Sequence, residues 1–268
     1  MSMSSQESPS KEQVVILCGG KGTRMGGTAK SVKKELVEIG DRPMIWHVMK
    51  IFATFGFEDF VLPLGYRGEE IRRYFLEYNL MHSHISYTIG TREPVFHEET
   101  PESNWRLTMV DTGLETNKGT RVKRVEKYIL TDPFLLTYGD GVGNIEIGAL
   151  VEFHKSHGKL ATVTGVRTAS QYGLMATDSD GGVAEYLQYP LQTEWTNAGF
   201  MIFNREVFDY FAEDGSVDLE SGLLARLAGE GQLMMYRHDG FWSSADTFRE
   251  VEMLNELWHS GEAPWKVW

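Results

Sequence analysis

The chain alternates short, continuous apolar runs with segments in which apolar residues recur at helical spacing. Val14 to Cys18, Phe60 to Leu64 and Phe134 to Tyr138 are runs of the kind that form strands covered on both faces. Pro43 to Phe55 and Glu69 to Tyr78 carry their apolar residues on one helical face. The alternation predicts an α/β fold with a mostly parallel sheet, in which ligands bind beyond the carboxyl ends of the strands.

The rest of the chain continues the pattern with shorter elements. Strands are predicted at His84 to Ile89, Leu107 to Val110, Leu160 to Val166, Val183 to Leu187, Ala198 to Asn204 and Leu233 to Tyr236, and helices at Thr120 to Ile129, Ile147 to His157, Leu219 to Gly229 and Thr247 to His259. Residues 91–105 form a long polar insertion, which predicts a functional segment or an interface.

Composition narrows the class of protein. The length of 268 residues suits one domain, 13–268, and residues 1–12 are polar enough to predict a disordered tail. One cysteine, Cys18, excludes an intrachain disulfide, and we expect a cytoplasmic protein because no signal peptide or membrane span is evident. A formal net charge of -12 argues against a nucleic acid partner, and the absence of a long apolar run argues against a membrane partner.

A local basic segment interrupts this acidic chain. Lys21 to Lys34 contains five cations and no acid, directly after a glycine-rich turn at 19, 20 and 22. Glycines let backbone amides approach an anion closely, so the turn predicts a phosphate cradle. Met25 occupies the place of the third glycine of a dinucleotide fingerprint, and Thr28 follows Gly27 where a P-loop has lysine. Both of those motifs are therefore excluded.

The remaining pattern is G-G-x-G-T-R with a lysine ten residues after the arginine, Arg24 and Lys34. A guanidinium binds two phosphate oxygens with its planar fork, and an ammonium adds a mobile point charge. A triphosphate would use both cations. The alternative is a glycine turn beside a solvated basic face.

Two aspartates are candidates for the metal that polyphosphate chemistry requires. Asp140 stands between glycines directly after a buried strand, and Asp246 precedes the helix that begins at Thr247. Mg²⁺ takes one or two carboxylates together with phosphate oxygens and water. The alternatives are a turn role for Asp140 and a helix-capping role for Asp246.

These residues resemble the sugar-nucleotidyltransferase family, most strongly its glucose-1-phosphate cytidylyltransferase branch, over Val14 to Trp268. The matching motifs are LCGGKGTRM, LVEIGDRPMIWHVMK, GYRGEEIRRYF, VDTG, TYGDG, NAGF, FW followed by Asp246 and Thr247, and GEAPWKVW. The resemblance implies a Rossmann-like three-layer nucleotidyltransferase fold, with a mixed central sheet and a smaller β-rich sugar-binding portion. It also implies that residues 13–145 mainly bind nucleotide, and that 146–268 mainly bind the acceptor and make oligomer contacts.

The resemblance assigns roles by position. It implies that Arg24 and Lys34 are the catalytic phosphate-binding pair, and that Asp140 and Asp246 hold Mg²⁺. The implied nucleotide contacts are Leu17, Gly19, Gly20, Gly22, Thr23, Arg24, Lys34, Arg92, Thr112, Gly119 and Gly139. The implied acceptor contacts are Tyr138, Gly173, Gln188, Tyr189, Asn197 and Arg167. Arg92 matches an extra loop that in relatives reaches a neighbouring subunit and its nucleotide, so a homo-oligomer is expected.

The implied reaction is Mg²⁺-dependent transfer of a nucleotidyl group to a sugar 1-phosphate, with CTP the expected donor. GTP, UTP and dTTP stay open as donors, because base recognition in this family relies on backbone contacts. Two other classes also stay open. One is a non-catalytic nucleotide-binding regulatory module, and the other is a dinucleotide oxidoreductase, against which Met25 argues.

Three departures from the family pattern concern the acceptor and the phosphate loop. Val32, Lys33, Lys34 and Glu35 replace Lys-Pro-Lys-Pro, Gln188 and Tyr189 replace the Glu-Lys that holds the sugar and its phosphate, and Ser-Ser-Ala precedes Asp246. Either the acceptor is another phosphorylated molecule, held by a cation such as Arg167, Lys30 or Lys33, or acceptor activity is degraded. We favour a different acceptor, because degradation would also be expected to erode the triphosphate loop and Asp140.

Overall fold

The structure is a computed structural model that describes residues 11–20, 33–170, 172–212 and 216–268. Its strands are β1 (Val14–Leu17), β2 (Glu38–Ile39), β3 (Arg42–Pro43), β4 (Asp59–Leu64), β5 (Ile85–Tyr87), β6 (Pro94–Phe96), β7 (Arg106–Asp111), β8 (Phe134–Tyr138), β9 (Gly141–Gly143), β10 (Ala161–Val166), β11 (Leu174–Thr177), β12 (Val183–Leu187), β13 (Thr196–Phe203), β14 (Leu233–His238) and β15 (Trp242–Ser244).

The α-helices of the described residues are α1 (Met44–Thr54), α2 (Gly68–Leu76), α3 (Tyr78–His82), α4 (Lys118–Val125), α5 (Ile147–His157), α6 (Ala225–Gly229) and α7 (Phe248–His259). Short 3-10 helices span Lys34–Leu36, Glu126–Tyr128 and Arg205–Tyr210, and a π-helical segment, Leu219–Leu224, leads into α6. None of the helices in these ranges is long and apolar enough to cross a membrane.

Seven strands form the central sheet in the order β14-β10-β13-β8-β1-β4-β7. All neighbours are parallel except β13, which runs antiparallel to β8 and to β10. The carboxyl ends of β1, β8, β10 and β14 therefore meet at one edge, together with the beginning of β13. This edge is where an α/β sheet binds its ligands.

The two faces of the sheet are covered by different helices. Val14 and Ile16 of β1 pack in one core with residues of α1, α5 and α7. Val15 and Leu17 point to the opposite face and pack with residues of α4 and α6. Because successive side chains of a strand alternate between faces, the continuous apolar run of β1 serves two cores at once.

The predicted fold class is confirmed, and several elements match their predicted bounds closely. Strands Phe134–Tyr138 and Val183–Leu187 and helix Ile147–His157 lie where the pattern placed them. The predicted helix from 69 to 78 was wrong in one respect. It divides at Glu77, whose backbone leaves the helical region at φ -91° and ψ 0°, and the phenol of Tyr78 lies 3.0 Å from Glu102.

Two further predicted helices change type along their length. Residues 120–129 are α-helical to Val125 and then 3-10, and residues 219–229 begin as a π-helical segment. The Asp218 side chain accepts hydrogen bonds from the amides of Glu220 and Ser221 at this segment's beginning. Within the long insertion, β6 pairs with β5 to form a hairpin, so the predicted single strand is half of a two-stranded arm.

Candidate active site at the carboxyl edge of the sheet

The site is built on two loops that follow neighbouring parallel strands. Leu17 pairs with Tyr138, and the amide of Gly139 donates to the Leu17 carbonyl at 3.0 Å. This pairing places the beginning of the glycine loop, Gly19 and Gly20, beside the loop that carries Asp140. Gly22, Thr23 and Arg24, like Lys30, lie outside the described residues.

Lys34 connects both predicted metal ligands. Its ammonium donates a hydrogen bond of 2.6 Å to Asp140 Oδ2 and a second hydrogen bond to Asp246 Oδ1. The Lys34 side chain is 10% exposed, whereas the carboxylates of Asp140 and Asp246 are about a third exposed. Burial alone lowers the pKa of Lys34, but the charges and hydrogen bonds of the two aspartates outweigh it and raise that pKa. Lys34 is therefore a cation fixed between two carboxylates.

A two-stranded ribbon brings Asp246 to Asp140. Strand β15 pairs antiparallel with β9, and the amide of Ala245 donates to the Asp140 carbonyl at 2.9 Å. The capping role considered for Asp246 is wrong, because the adjacent Thr247 caps α7. Thr247 forms a capping box with Glu250, whose carboxylate accepts from the Thr247 amide at 2.7 Å.

Asp140 and Asp246 suit a metal ion whose remaining ligands come from the substrate and from water. No cluster of three or more His, Cys, Asp or Glu side chains able to hold a metal occurs among the described residues. Mg²⁺ commonly uses one or two protein carboxylates and completes its shell with phosphate oxygens and water. Asp140 and Asp246 converge on one cation, Lys34 Nζ, and both keep exposed oxygen surface. The donor set fits Mg²⁺ arriving with a polyphosphate.

Lys33 and Glu35 form a buried pair beneath the same loops. Lys33 Nζ donates to the Gly20 carbonyl at 2.8 Å and lies 3.3 Å from Glu35 Oε2. The two residues are 3% and 6% exposed, and burial raises the pKa of Glu35 to about 7. Lys33 is thus committed to the loop backbone and to Glu35. The sequence had suggested Lys33 as a cation for the acceptor phosphate, but these contacts leave its ammonium unavailable for that role.

Arg121 supports the predicted nucleotide side and was missed by sequence reasoning. Arg121 is 3% exposed, and its guanidinium donates to the Leu64 and Gly113 carbonyls and to the Thr112 hydroxyl. It also fills the space beside Gly19, where an added Cβ would lie 2.5 Å from it. An arginine in a polar helix is typical of a solvated face, so no sequence signal distinguished it.

Thr112 and Gly119, which are predicted to contact the nucleotide, also make contacts that stabilise the fold. Both the hydroxyl and the amide of Thr112 donate to the Leu64 carbonyl, at 2.6 Å and 2.9 Å, and its carbonyl accepts from Arg124. A Cβ at Gly119 would lie 2.1 Å from the Val217 carbonyl, so close packing requires glycine there. The roles of both residues toward a nucleotide stay predictions.

Arg92 is not joined to the rest of the site. It is exposed in the loop between β5 and β6, in the left-handed region at φ 59°. Within the described ranges, no hydrogen bond or ion pair connects its side chain to Lys34 or the aspartates. The β5–β6 hairpin to which this loop belongs carries several exposed apolar residues, among them Ile89 and Val95.

Tyr138 lies at the junction of the predicted nucleotide and acceptor sides. Its hydroxyl donates to Glu220 Oε1 at 2.6 Å, and Lys118 pairs with the same carboxylate while lying 5.4 Å from the tyrosine ring centroid. Burial and Glu220 raise the pKa of Tyr138. Gly199, at φ 88°, leaves room for the ring, since its Cβ would lie 2.4 Å away. Lys118 and Glu220 were not predicted.

The other predicted acceptor contacts lie in the segment of the chain from the end of β10 to the beginning of β13. Asn197 accepts from the Gly199 amide at 2.9 Å, and Gly173 packs against the Tyr186 hydroxyl. Gln188 and Tyr189 follow β12 and are exposed, with Tyr189 in the left-handed region at φ 57°. Arg167 pairs with Asp239 at 2.8 Å. Arg167 and Asn197 therefore lie at the edge of the central sheet, whereas Gly173, Gln188 and Tyr189 flank the separate β11–β12 hairpin. Among the described residues, none of the five forms a hydrogen bond or ion pair with Lys34.

Comparison with known proteins identifies the class. Residues 13–247 match the nucleotidyl transferase family model. The chain is 39% identical to the Bacillus subtilis protein named "probable glucose-1-phosphate cytidylyltransferase", over 96% of this chain and 100% of that protein. It is 38% identical to glucose-1-phosphate cytidylyltransferase of Salmonella typhi, over 96% and 99% respectively.

Solved structures share the fold at low sequence identity. HddC from Yersinia pseudotuberculosis superposes with a TM-score of 0.68 and 18% identity, over 92% of this chain and 100% of that one. A UDP-glucose pyrophosphorylase complexed with UDP-glucose gives 0.66 and 14%, over 93% and 99%. This α/β protein with a cation held between two carboxylates belongs to the nucleotidyl transferase family. The resemblance inferred from the motifs is confirmed.

Proposed function

We propose that the protein catalyses Mg²⁺-dependent transfer of CMP from CTP to a sugar 1-phosphate, giving a CDP-sugar and pyrophosphate. The observation that carries the proposal is Lys34, fixed between Asp140 and Asp246 beside the glycine loop. The names of the Bacillus and Salmonella relatives support CTP as the donor and a sugar 1-phosphate as the acceptor class.

The chemistry is a displacement at the α-phosphorus. An oxygen of the sugar phosphate forms a bond to the α-phosphorus, and the bond from that phosphorus to the bridging β-phosphate oxygen breaks. Pyrophosphate leaves with the electron pair of the broken bond. The attacking phosphate is already ionised near neutral pH, so no side chain has to remove a proton.

The residues of this chain supply charge and position. Two polyanions must meet, and Lys34 together with Arg24 would offset their repulsion and stabilise the charge on departing pyrophosphate. Asp140 and Asp246 would hold Mg²⁺, which when bound neutralises phosphate oxygens and aligns them for displacement. Gly19 and Gly20 would let the nucleotide lie against the backbone, while Lys33 fixes the Gly20 carbonyl from below.

The acceptor side departs from the family pattern at Tyr189. A phenol donates one hydrogen bond to a phosphate but carries no charge, so its replacement of lysine removes a charge-assisted bond. Of the candidate cations named from the sequence, Lys33 is committed to the Gly20 carbonyl and Glu35, and Arg167 lies after β10, paired with Asp239. We propose that the acceptor is a sugar 1-phosphate other than glucose 1-phosphate.

Pyrophosphate release tests this function. The full chain is incubated with Mg²⁺, each of CTP, UTP, GTP and dTTP, and a panel of sugar 1-phosphates. We expect release with CTP and at least one acceptor, and a loss of about a hundredfold or more in Asp140→Asn. Lys155→Met, at a distant surface ion pair with Glu12, is the matched control and keeps the wild-type rate. No release with any pair, from protein that CTP stabilises thermally, would identify a nucleotide-binding module instead.

A further inference from the structure

Two arginines converge on one tryptophan ring at the acceptor side of the sheet edge. The guanidinium carbon of Arg167, just after β10, lies 5.2 Å from the Trp195 ring centroid, and that of Arg237, in β14, lies 5.7 Å from it. The indole packs on the β10 backbone, since a Cβ at Gly165 would lie 3.3 Å from Trp195. A guanidinium over an indole is attracted by the ring face and is held there in a defined orientation.

The group carries more positive charge than its neighbours neutralise. Asp239 pairs with Arg167 at 2.8 Å, and the Asp239 side chain is itself 67% exposed. Arg237 has no ion-pair partner in the part of the chain that the structure describes. In a protein with a formal net charge of -12, two guanidinium groups of which only Arg167 has a paired carboxylate form a local anion-attracting surface. Their planar forks match carboxylate and phosphate oxygens.

The position of the group relative to Asp140 limits what it can bind. Asp140 follows β8, and in the sheet order β13 separates β8 from β10, with β14 beyond β10. Neighbouring strands are about 4.8 Å apart, so Arg167 and Arg237 lie about two and three strand spacings, roughly 10 and 14 Å, from the strand that leads to Asp140. A phosphate reacting beside Lys34 is too far from Arg237 to be bound by it. A substituent on the opposite side of the sugar ring is close enough to be bound by Arg237.

We propose, resting on the function above, that Arg167, Arg237 and Trp195 form a subsite for a second anionic group of the acceptor. The ligand class is a sugar 1-phosphate that bears a carboxylate or another phosphate away from the reacting phosphate, and the indole holds the two guanidinium groups in place. Asn197, two residues after Trp195, is at the beginning of β13, which lies between β8 and β10 in the sheet. Tyr189 carries no charge to bind the acceptor phosphate. Contacts of the second anion with the two arginines would supply the binding free energy that is lost there.

Calorimetric binding tests the subsite without turnover. The full chain with Mg²⁺ and the α,β-methylene analogue of CTP is titrated with glucose 1-phosphate, glucuronic acid 1-phosphate and glucose 1,6-bisphosphate. We expect at least one acidic sugar to bind about tenfold or more tightly than glucose 1-phosphate, as for an added charge-assisted bond. The stronger of the two acidic ligands identifies carboxylate or phosphate as the preferred group.

Variants decide whether the arginines are responsible. Arg237→Gln and Arg167→Gln should bring the affinity ratio of acidic to neutral sugar to within threefold of one. Arg226→Gln removes an arginine that also stacks on an aromatic ring, Tyr210 at 4.4 Å, and should keep the wild-type ratio. A wild-type ratio near one, or a ratio unchanged by Arg237→Gln, would overturn the subsite. If the protein releases pyrophosphate with glucose 1-phosphate but the affinity ratio of acidic to neutral sugar is near one, the proposed reaction stands and only the subsite is wrong. If the ratio depends on the arginines but no pyrophosphate is released with any acceptor, the subsite stands and the proposed reaction is wrong.

Discussion

Lys34 and Asp140 are 106 positions apart in the chain, and the Lys34 ammonium donates a hydrogen bond of 2.6 Å to the Asp140 carboxylate. The same ammonium reaches Asp246, so the lysine that the sequence assigned to phosphate binding is held by the aspartates that it assigned to the metal. If Asp140 and Asp246 hold Mg²⁺ as proposed, Lys34 and Mg²⁺ would compete for the same two carboxylates. Such competition would couple the position of the loop that carries Lys34 to metal binding.

Lys34→Met tests that competition through stability. Removing the ammonium leaves two neighbouring carboxylates without their cation, and we expect a loss of about 1–2 kcal/mol in EDTA, since both aspartates are partly exposed. Mg²⁺ should restore much of the loss in Lys34→Met and stabilise wild type much less. Urea unfolding with and without Mg²⁺ measures both quantities. Equal stabilisation of the two proteins by Mg²⁺ would contradict the competition, and Lys34→Met/Asp140→Asn should lose the Mg²⁺ effect.

The buried pair of Lys33 and Glu35 predicts a non-additive double variant. Lys33→Met leaves the Glu35 carboxylate buried without a cation, which we expect to cost about 3 kcal/mol in unfolding free energy. Lys33→Met/Glu35→Met removes both charges and should recover most of that loss. Urea unfolding midpoints at pH 8 provide the comparison. A double variant no more stable than Lys33→Met would show that the pair is not the cause.

His47 predicts a dependence of stability on acid. It is fully buried, its Nδ1 accepts from Trp265 Nε1 at 3.4 Å, and its Nε2 donates to the Ile39 carbonyl at 2.9 Å. Burial lowers the pKa of His47 to about 4, whereas an unfolded histidine binds its proton near pH 6.5. The unfolded chain therefore gains a proton first, and stability is lost as pH falls from 6.5 to 4.

The expected loss from this one group is up to about 3 kcal/mol across that interval. Unfolding free energies measured from pH 7 to pH 4 should fall less steeply for His47→Gln than for wild type. His259→Gln changes an exposed histidine and should follow the wild-type slope. Parallel profiles for wild type and His47→Gln would rule out the buried neutral imidazole as a source of the slope.

Tyr189→Lys tests the reason for the divergent acceptor site. Lysine at this position restores a charge-assisted contact, and we expect KM for glucose 1-phosphate to fall about tenfold to a hundredfold. Both residues carry a Cβ, so the cost of the left-handed backbone at φ 57° is common to them. Tyr189→Phe, which removes only the hydroxyl, is the control for changes in packing. An unchanged KM in Tyr189→Lys would place the acceptor phosphate elsewhere.

Much of the fold could be predicted because its central strands and helices repeat a simple pattern. Phe134–Tyr138 is mostly apolar since both of its faces are covered, and Ile147–His157 buries Ile147, Leu150, Val151 and His154 on one side. The approach of Asp246 to Asp140 was implied by the family resemblance and is reached through the β9–β15 ribbon. Neither strand of that ribbon was predicted, because each has only three residues.

The supporting residues could not be predicted, because their partners are distant in sequence. Arg121 reads as one charge of a polar helix, and only the fold places its guanidinium beneath Gly19 and Leu64. In the sequence, Lys33 is one of several cations in a basic segment and Glu35 follows that segment. Only the fold shows that the two side chains are buried together as an ion pair. Glu220 meets Tyr138 across 82 positions. Local pattern specifies elements, whereas these contacts depend on how the elements are assembled.

The most direct test of the central claim follows the α-phosphate. CTP labelled at the α-phosphate is incubated with Mg²⁺ and the acceptor that gave most pyrophosphate, and the products of wild type, Asp140→Asn and Asp246→Asn are separated by chromatography. We predict that wild type moves the label into a sugar nucleotide and that each variant forms less than about one hundredth as much. Undiminished label transfer in both variants, or none in wild type, would contradict nucleotidyl transfer at Lys34, Asp140 and Asp246.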